Sequence, residues 1–255
     1  MMQQAADLLA EGKELKKLLD ALSPKDWERN TPFKNWTINQ VVQHLHGADK
    51  AAVLALTDEE RFLKSKSEPK VLREMMNPTM EGEELLATWW NYFQDMCQSL
   101  GESDPKRRVP WVGPDMGVKM FTTARQMETW AHGQDIYDLL KIPRVNGDRL
   151  KNIAVIGVRT YGWTFANRKM EPPGPAPYVK LDAPSGDTWE FGDASSDNCV
   201  AGSAVEFCHV VTQGRNIADV NLTLVGEPAE KWMAIAQCFA GPPVDPPELG
   251  MRSAS

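Results

Sequence analysis

No stretch of the chain approaches the ~18 consecutive apolar residues that a transmembrane helix requires, so no membrane span is expected. Basic charge is in deficit, with 28 Lys and Arg against 35 Asp and Glu giving a net −7. That balance withholds the positive footprint on which nucleic-acid binding depends, and no nucleic-acid partner is expected. Cysteine is sparse. Cys97, Cys199, Cys208 and Cys238 lie far apart and form no CxxC pair, which excludes a dithiol redox centre or a zinc knuckle. They read as small buried thiols of a cytoplasmic protein. The N-terminus has neither the apolar core nor the small-residue cleavage site of a signal peptide, and no internal repeat is visible.

What the 255 residues do contain is a run of helical patterns followed by a change of texture. Residues 3–22 form an amphipathic stretch with Asp7 and Glu11 early and Lys13, Lys16 and Lys17 later, ending before Ser23-Pro24. A second helix begins after Thr37, a suitable N-cap, and repeats apolar residues at Ile38, Val41, Val42, Leu45, Ala48, Ala52 and Leu56. A third spans about 82–100 and stops at Gly101, a fourth runs from near Met116 to Lys141, and a fifth from Arg149 to about Arg168. Four prolines within residues 171–177 then break helical continuity and mark the expected domain boundary. Beyond it, residues 178–181 and 188–191 alternate as a hairpin around Pro184-Ser185-Gly186-Asp187. Residues 203–213 read as a helix, 220–225 as a strand and 227–240 as a last helix. The expected organisation is a helical bundle over 1–170, a proline-rich linker over 171–177, a small α+β domain over 178–241 and an extended or frayed tail over 242–255. The fold class is α+β.

Histidine is also scarce, with His44, His46, His132 and His209 the full set. His132 follows Glu128 by one helical turn, so carboxylate and imidazole face the same way and both can reach one divalent ion. A solvated pair one turn apart would look the same in sequence. His44 and His46 are two apart, about 200° around a helix, and cannot share an ion. Periodicity does not choose between them. One further imidazole from another helix would complete a His, Glu, His set, the ligand count of a catalytic zinc site with an open position, and a set that iron also accepts. His209, on an apolar helix, reads as a core or interface histidine.

Three segments carry a resemblance: residues 35–45, with the pattern WTxxxVxxHL, residues 110–114, and residues 127–135, with ExWxHGxD in the register of Glu128, Trp130, His132 and Asp135. Together they resemble the DinB-like metal-binding bundle of the mycothiol-dependent maleylpyruvate isomerase type and its two-domain relatives. The resemblance covers nearly the whole chain and implies a small C-terminal α+β domain of sterol-carrier-like shape. Carried over residue by residue, it places the three metal ligands at His44, Glu128 and His132, with His46 outside that set. It further implies that the metal, most simply zinc, activates a low-molecular-weight thiol or a water for isomerase, S-transferase or hydrolase chemistry.

In the isomerase reaction so implied, a thiolate adds to a cis-enedioic acid, the resulting single bond rotates, and elimination returns the trans isomer. A dianionic substrate calls for a basic side chain. Arg125, three residues before Glu128, and Arg215, where the family has a functional arginine, are the candidates. Trp111, Trp130 and Trp163 are candidates to line a pocket or to fill a core, with Trp111 and Arg125 expected to contact the thiol cosubstrate. Asp135 is placed to orient His132. The expected function is thus a cytoplasmic, metal-dependent, thiol-using isomerase or S-transferase. A metal-dependent hydrolase without thiol and a non-catalytic metal- and ligand-binding protein are the alternatives.

Overall fold

The computed structural model describes residues 2–76 and 78–252. The chain divides into two compact units, Met1–Leu140 and Lys141–Ser255. The first is helical: α1 (Gln3–Asp20), α2 (Ile38–Thr57), α3 (Glu59–Ser67), α4 (Pro69–Met76), α5 (Gly82–Glu102) and α6 (Val118–Leu140). Between α5 and α6, β1 (Arg108–Val109) and β2 (Met116–Gly117) form a minimal antiparallel ribbon, so α6 begins two residues later than its sequence pattern suggests.

Helices α1, α2, α5 and α6 pack around a core that includes Leu8, Leu15, Val41, Leu45, Trp89, Phe93, Phe121 and Trp130. The α1–α5 contact depends on Gly12. A Cβ there would lie 2.1 Å from Phe93 Cε1, so the missing side chain is what lets the phenyl ring approach the helix. Helix α2 starts as the sequence indicates. Thr37 Oγ1 accepts from the Gln40 N–H at 3.2 Å while the Thr37 N–H donates to Gln40 Oε1 at 2.9 Å, a reciprocal capping box. Asn39 then ties this end of α2 to its neighbours, donating to Glu28 Oε1 at 2.7 Å and accepting from the Gly82 N–H at 2.8 Å.

The second unit holds α7 (Lys151–Arg159), α8 (Tyr161–Asn167), α9 (Ala204–Val211) and α10 (Glu227–Ile235) with a four-stranded sheet. Its strands β3 (Tyr178–Asp182), β4 (Thr188–Phe191), β5 (Cys199–Ser203) and β6 (Thr223–Val225) lie in the order β4-β3-β5-β6. The β3–β4 hairpin is antiparallel, as its alternation indicates, whereas β3 and β5 are parallel. The mixed α+β class is therefore correct.

The boundary is not where the prolines suggested. The helix expected to close the bundle over 149–168 is broken at Thr160 into α7 and α8, and both belong to the second unit. Gly157 of α7 packs so tightly on α9 that a Cβ would meet Val211 Cγ2 at 2.8 Å. Residues 171–177 are consequently a connection inside the second unit. The tail is not frayed over its described part either. Gln213 Nε2 donates to the Val244 carbonyl at 2.7 Å, Asn216 Nδ2 to the Pro247 carbonyl at 2.8 Å, and Arg252 Nη1 to the Gln213 carbonyl at 2.8 Å. Residues 253–255 of that expected tail lie outside the described residues.

Candidate metal centre

Two facing helices of the first unit bring three donor groups together. His44 comes from α2, and Glu128 and His132 from successive turns of α6. His44 Nε2 lies 3.4 Å and His132 Nε2 3.6 Å from the same Glu128 oxygen, Oε2, and one donor atom from each residue falls within 4.8 Å of the others. Four ligands at zinc-like bond lengths of about 2.0–2.2 Å stand roughly 3.3–3.6 Å apart at tetrahedral angles. The donor set, its spacing and its chemistry thus fit a divalent cation. The three side chains are 27, 23 and 12% exposed for His44, Glu128 and His132, so the cluster is reached from solvent on one side.

Its electrostatics match that use. Burial pushes the His44 imidazolium pKa down, against the opposing pull of Glu128. Burial alone would raise the Glu128 carboxyl, but hydrogen bonding to His132 and His44 overrides it and holds the group well below its usual range. A neutral imidazole and a carboxylate are the forms that ligate. His132 Nδ1 faces Asp135 Oδ2 at 3.2 Å, and Asp135 is 1% exposed. With a cation bound between His132 and Glu128, a proton held on Nδ1 by that carboxylate would leave the Nε2 lone pair to ligate it.

The loop before α2 supplies an aromatic wall. Thr31 N–H donates to the Trp36 carbonyl at 2.7 Å and Trp36 N–H to the Phe33 carbonyl at 2.9 Å, closing a tight turn whose central residues, Lys34 and Asn35, have φ of 51° and 55°. Left-handed backbone is unfavourable for a lysine, and the turn holds it there because it carries Phe33 and Trp36 to the histidines. Phe33 meets the His132 ring edge-on at 4.9 Å, and Trp36 lies 5.3 Å from His44 and nearly parallel to His132 at 6.0 Å. A cleft of about 450 Å³ opens beside His44 and Trp36.

The other sequence candidates lie elsewhere or have other tasks. His46 is 2% exposed and packs edge-on to Tyr92 of α5, away from the cluster. Arg125 is not a cation awaiting a ligand. It is buried and donates from Nε and Nη2 to Asp49 Oδ1 at 3.2 and 2.9 Å, because an α6 guanidinium inside the bundle requires a counter-charge. Trp111 is also core: its ring stacks on Phe62 at 5.8 Å and meets Phe121 edge-on at 5.0 Å. Trp130 is buried as well. In the second unit, Trp163 Nε1 donates to the Phe239 carbonyl at 3.4 Å, and Arg215 is buried with Nη1 donating to the Gly214 carbonyl at 2.8 Å. His209 is buried there too, its pKa pushed far down by burial and by the charges of Arg215 and Arg144. Phe33, Asp49 and the cleft residues around Gln43 were missed in sequence. A charged Asp49 on the otherwise apolar stripe of α2 was the one available signal.

A helical bundle with inward-facing His, Glu and His side chains, followed by a small α+β unit, defines the class as a DinB-like two-domain protein. The chain belongs to the mycothiol maleylpyruvate isomerase N-terminal domain family, whose model matches residues 8–137. Two uncharacterized proteins of Mycobacterium tuberculosis, MT0041 and Rv0036c, are each 37% identical over 250 residues, covering 93% of this chain and 95% of theirs. Crystal structures of mycothiol-dependent maleylpyruvate isomerase and of a point mutant share the fold. Each has a TM-score of 0.51, with identities of 13 and 15%, and covers 82% of this chain and 87% of that chain. Among the described residues no helix is long and apolar enough to cross a membrane.

Proposed function

We propose that this protein is a cytoplasmic, metal-dependent enzyme that uses a low-molecular-weight thiol to isomerise a maleylpyruvate-like cis-dicarboxylate or to transfer the thiol to an electrophile. The observation that carries the reading is the convergence of His44, Glu128 and His132, with His44 also lining a solvent-reached cleft. Membership of a family that includes a mycothiol-dependent isomerase supports it.

In this reading His44, Glu128 and His132 hold the cation, with zinc the best match to two imidazoles and a carboxylate. A bound divalent cation lowers the pKa of a thiol or water and so supplies a nucleophile near neutral pH. Asp135 holds the proton on His132 Nδ1, keeping Nε2 available. Phe33 and Trp36 keep both imidazoles in place and shield them from bulk water. For isomerisation, thiolate sulfur bonds to one alkene carbon, the former double bond rotates as a single bond, and the same C–S bond breaks to release the trans product and the thiolate. Arg215 is assigned the substrate carboxylate, a pairing for which a planar guanidinium is suited.

Three of the four cysteines are poor nucleophiles, and Cys199 is half-buried. Burial pushes the Cys97 and Cys208 thiols far up, and Cys238 is buried as well. Replacing all four cysteines by Ser or Ala should therefore leave turnover present, whereas omission of the small thiol should abolish it. Turnover in rigorously thiol-free buffer would overturn the thiol-dependent reading.

A further inference from the structure

We infer that a second cleft of the first unit, walled by α2, α3, α4 and α5, binds an amphipathic organic anion: an apolar chain or ring carrying a carboxylate or phosphate. The cleft measures about 810 Å³, within the range of small-molecule sites. Among the described residues that line it are none of His44, Glu128 and His132, so it is distinct from the candidate metal centre.

Helical spacing builds its walls. On α2, Lys50, Val53, Leu54 and Thr57 share one face, and on α3 Arg61, Lys64 and Ser65 do the same. Asp58 sets the turn between the two helices, its Oδ1 accepting from the Arg61 N–H at 3.1 Å. Ser65 is buried, and its hydroxyl donates to the Phe62 carbonyl at 2.7 Å, which keeps that polar group within α3. Helix α4 lies against α2 backbone to backbone. A Cβ on Gly47 would be 2.1 Å from the Met76 carbonyl oxygen, so only glycine permits the approach that brings α4 to the cleft, where Val71 lines it. Tyr92 of α5 supplies a further wall.

The lining joins an apolar surface to an excess of positive charge. Val53, Leu54, Val71 and the Tyr92 ring provide the first. Lys50, Arg61 and Lys64 provide the second, with Glu68 the one acid among the described lining residues. The chain as a whole has the opposite balance, 28 basic against 35 acidic residues, so this excess is local. Among the described residues none of the three cations forms an ion pair, although Lys64 and Glu68 stand one helical turn apart. The neighbouring Lys66 is engaged, its Nζ donating to the Trp111 carbonyl at 2.6 Å. An apolar body therefore meets aliphatic groups and a ring, while an anionic head meets two ammonium groups and a guanidinium suited to bidentate pairing with carboxylate or phosphate. The same charges disfavour a cationic ligand, and a small inorganic anion leaves the apolar wall uncovered. Because the aliphatic groups lie in a cleft bounded by several helices, a separate molecule fits them better than a flat lipid surface does.

The test uses the full chain and four probes: octanoate, octyl phosphate, octanol and octylammonium. Each is titrated by calorimetry and by the NMR resonances of the Val53, Leu54 and Val71 methyls and the Tyr92 ring. The expected result is saturable binding of octanoate or octyl phosphate that moves those resonances, about tenfold tighter than octanol or octylammonium. The tighter of the two anions identifies the head group. The double variant Arg61→Gln, Lys64→Gln should weaken anion binding by about tenfold and leave octanol unchanged. Both side chains are exposed, so that variant should keep the wild-type unfolding midpoint. Equal affinities for all four probes, anion binding unmoved in the double variant, or cleft resonances that neither anion moves would overturn the inference. Anion binding should persist in His44→Ala, and its loss there would place the anion at the metal centre and overturn the inference as well. Binding to phosphatidylserine vesicles without any response to octanoate or octyl phosphate would overturn the small-ligand class and assign the cations to a lipid surface.

Discussion

Asp49 and Arg125 meet in the interior of the bundle, one from α2 and one from α6, with side chains 0 and 3% exposed. Arg125 makes two hydrogen bonds to Oδ1, and the Trp89 indole N–H of α5 donates to Oδ2 at 3.2 Å. Three helices are thereby joined at one carboxylate, one turn of α6 before Glu128 and about one turn of α2 after His44. Asp49→Ala would strand a buried guanidinium and should lower stability by about 3–5 kcal/mol, read as a fall in the denaturant midpoint. An apolar pair at both positions should recover much of that loss, since desolvation of two charges disappears with them. A midpoint unchanged in Asp49→Ala would show that the pair carries no such constraint.

His46 gives the fold a pH dependence of defined sign. Burial, with the charge of Lys50, pushes its pKa down to about 4 from an ordinary 6.5. The unfolded chain then binds more protons than the folded one between those values, so this group's contribution is full above about pH 6.5 and is lost as pH falls toward 4. The loss amounts to something on the order of 3 kcal/mol. Urea midpoints of wild type and His46→Gln measured from pH 7.5 to 4.5 should converge as pH falls, the wild type losing more. Parallel curves would contradict the assignment.

Arg215 is proposed to hold a substrate carboxylate. Arg215→Lys keeps the charge and loses the planar fork, so kcat/KM should remain about tenfold or more below wild type, with Arg215→Ala lower still. Wild-type kcat/KM in Arg215→Ala would remove it from the substrate site.

Trp36 acts on the histidines by packing, with no atom of its own among the donors. Trp36→Ala should weaken metal binding by roughly tenfold through freer imidazole rings, while Trp36→Phe retains most of the affinity. Equal metal affinity in wild type and Trp36→Ala, measured by competition with a chromophoric chelator, would limit its role to the cleft wall.

How much of this was legible in sequence follows from which signals are local. The long helices α1, α2 and α5 announce themselves by period and the Thr37 cap by residue type, whereas α6, buried on several sides, carries almost no such period. Helices α3 and α4 went unseen because residues 59–76 are dominated by charge, with Phe62 the one fully buried large side chain among the described residues there. Strand β5 was hidden by Ala201 and Gly202, weak strand formers, the latter at φ 136°. The domain boundary was misplaced because the prolines of 171–177 are a local signal, whereas α7 is claimed by α9 some fifty residues downstream. At the site, Glu128 and His132 are local by their one-turn spacing. His44 depends on how α2 faces α6. The turn that presents Trp36 runs against backbone preference at Lys34, so no propensity argument reaches it.

The central claim is a single divalent metal held by His44, Glu128 and His132, and elemental analysis of purified protein tests it most directly. The account predicts one metal equivalent per chain in wild type and in His46→Ala, and its loss in His44→Ala and in His132→Ala. Undiminished metal in both of the latter variants, or loss in His46→Ala alone, would contradict it.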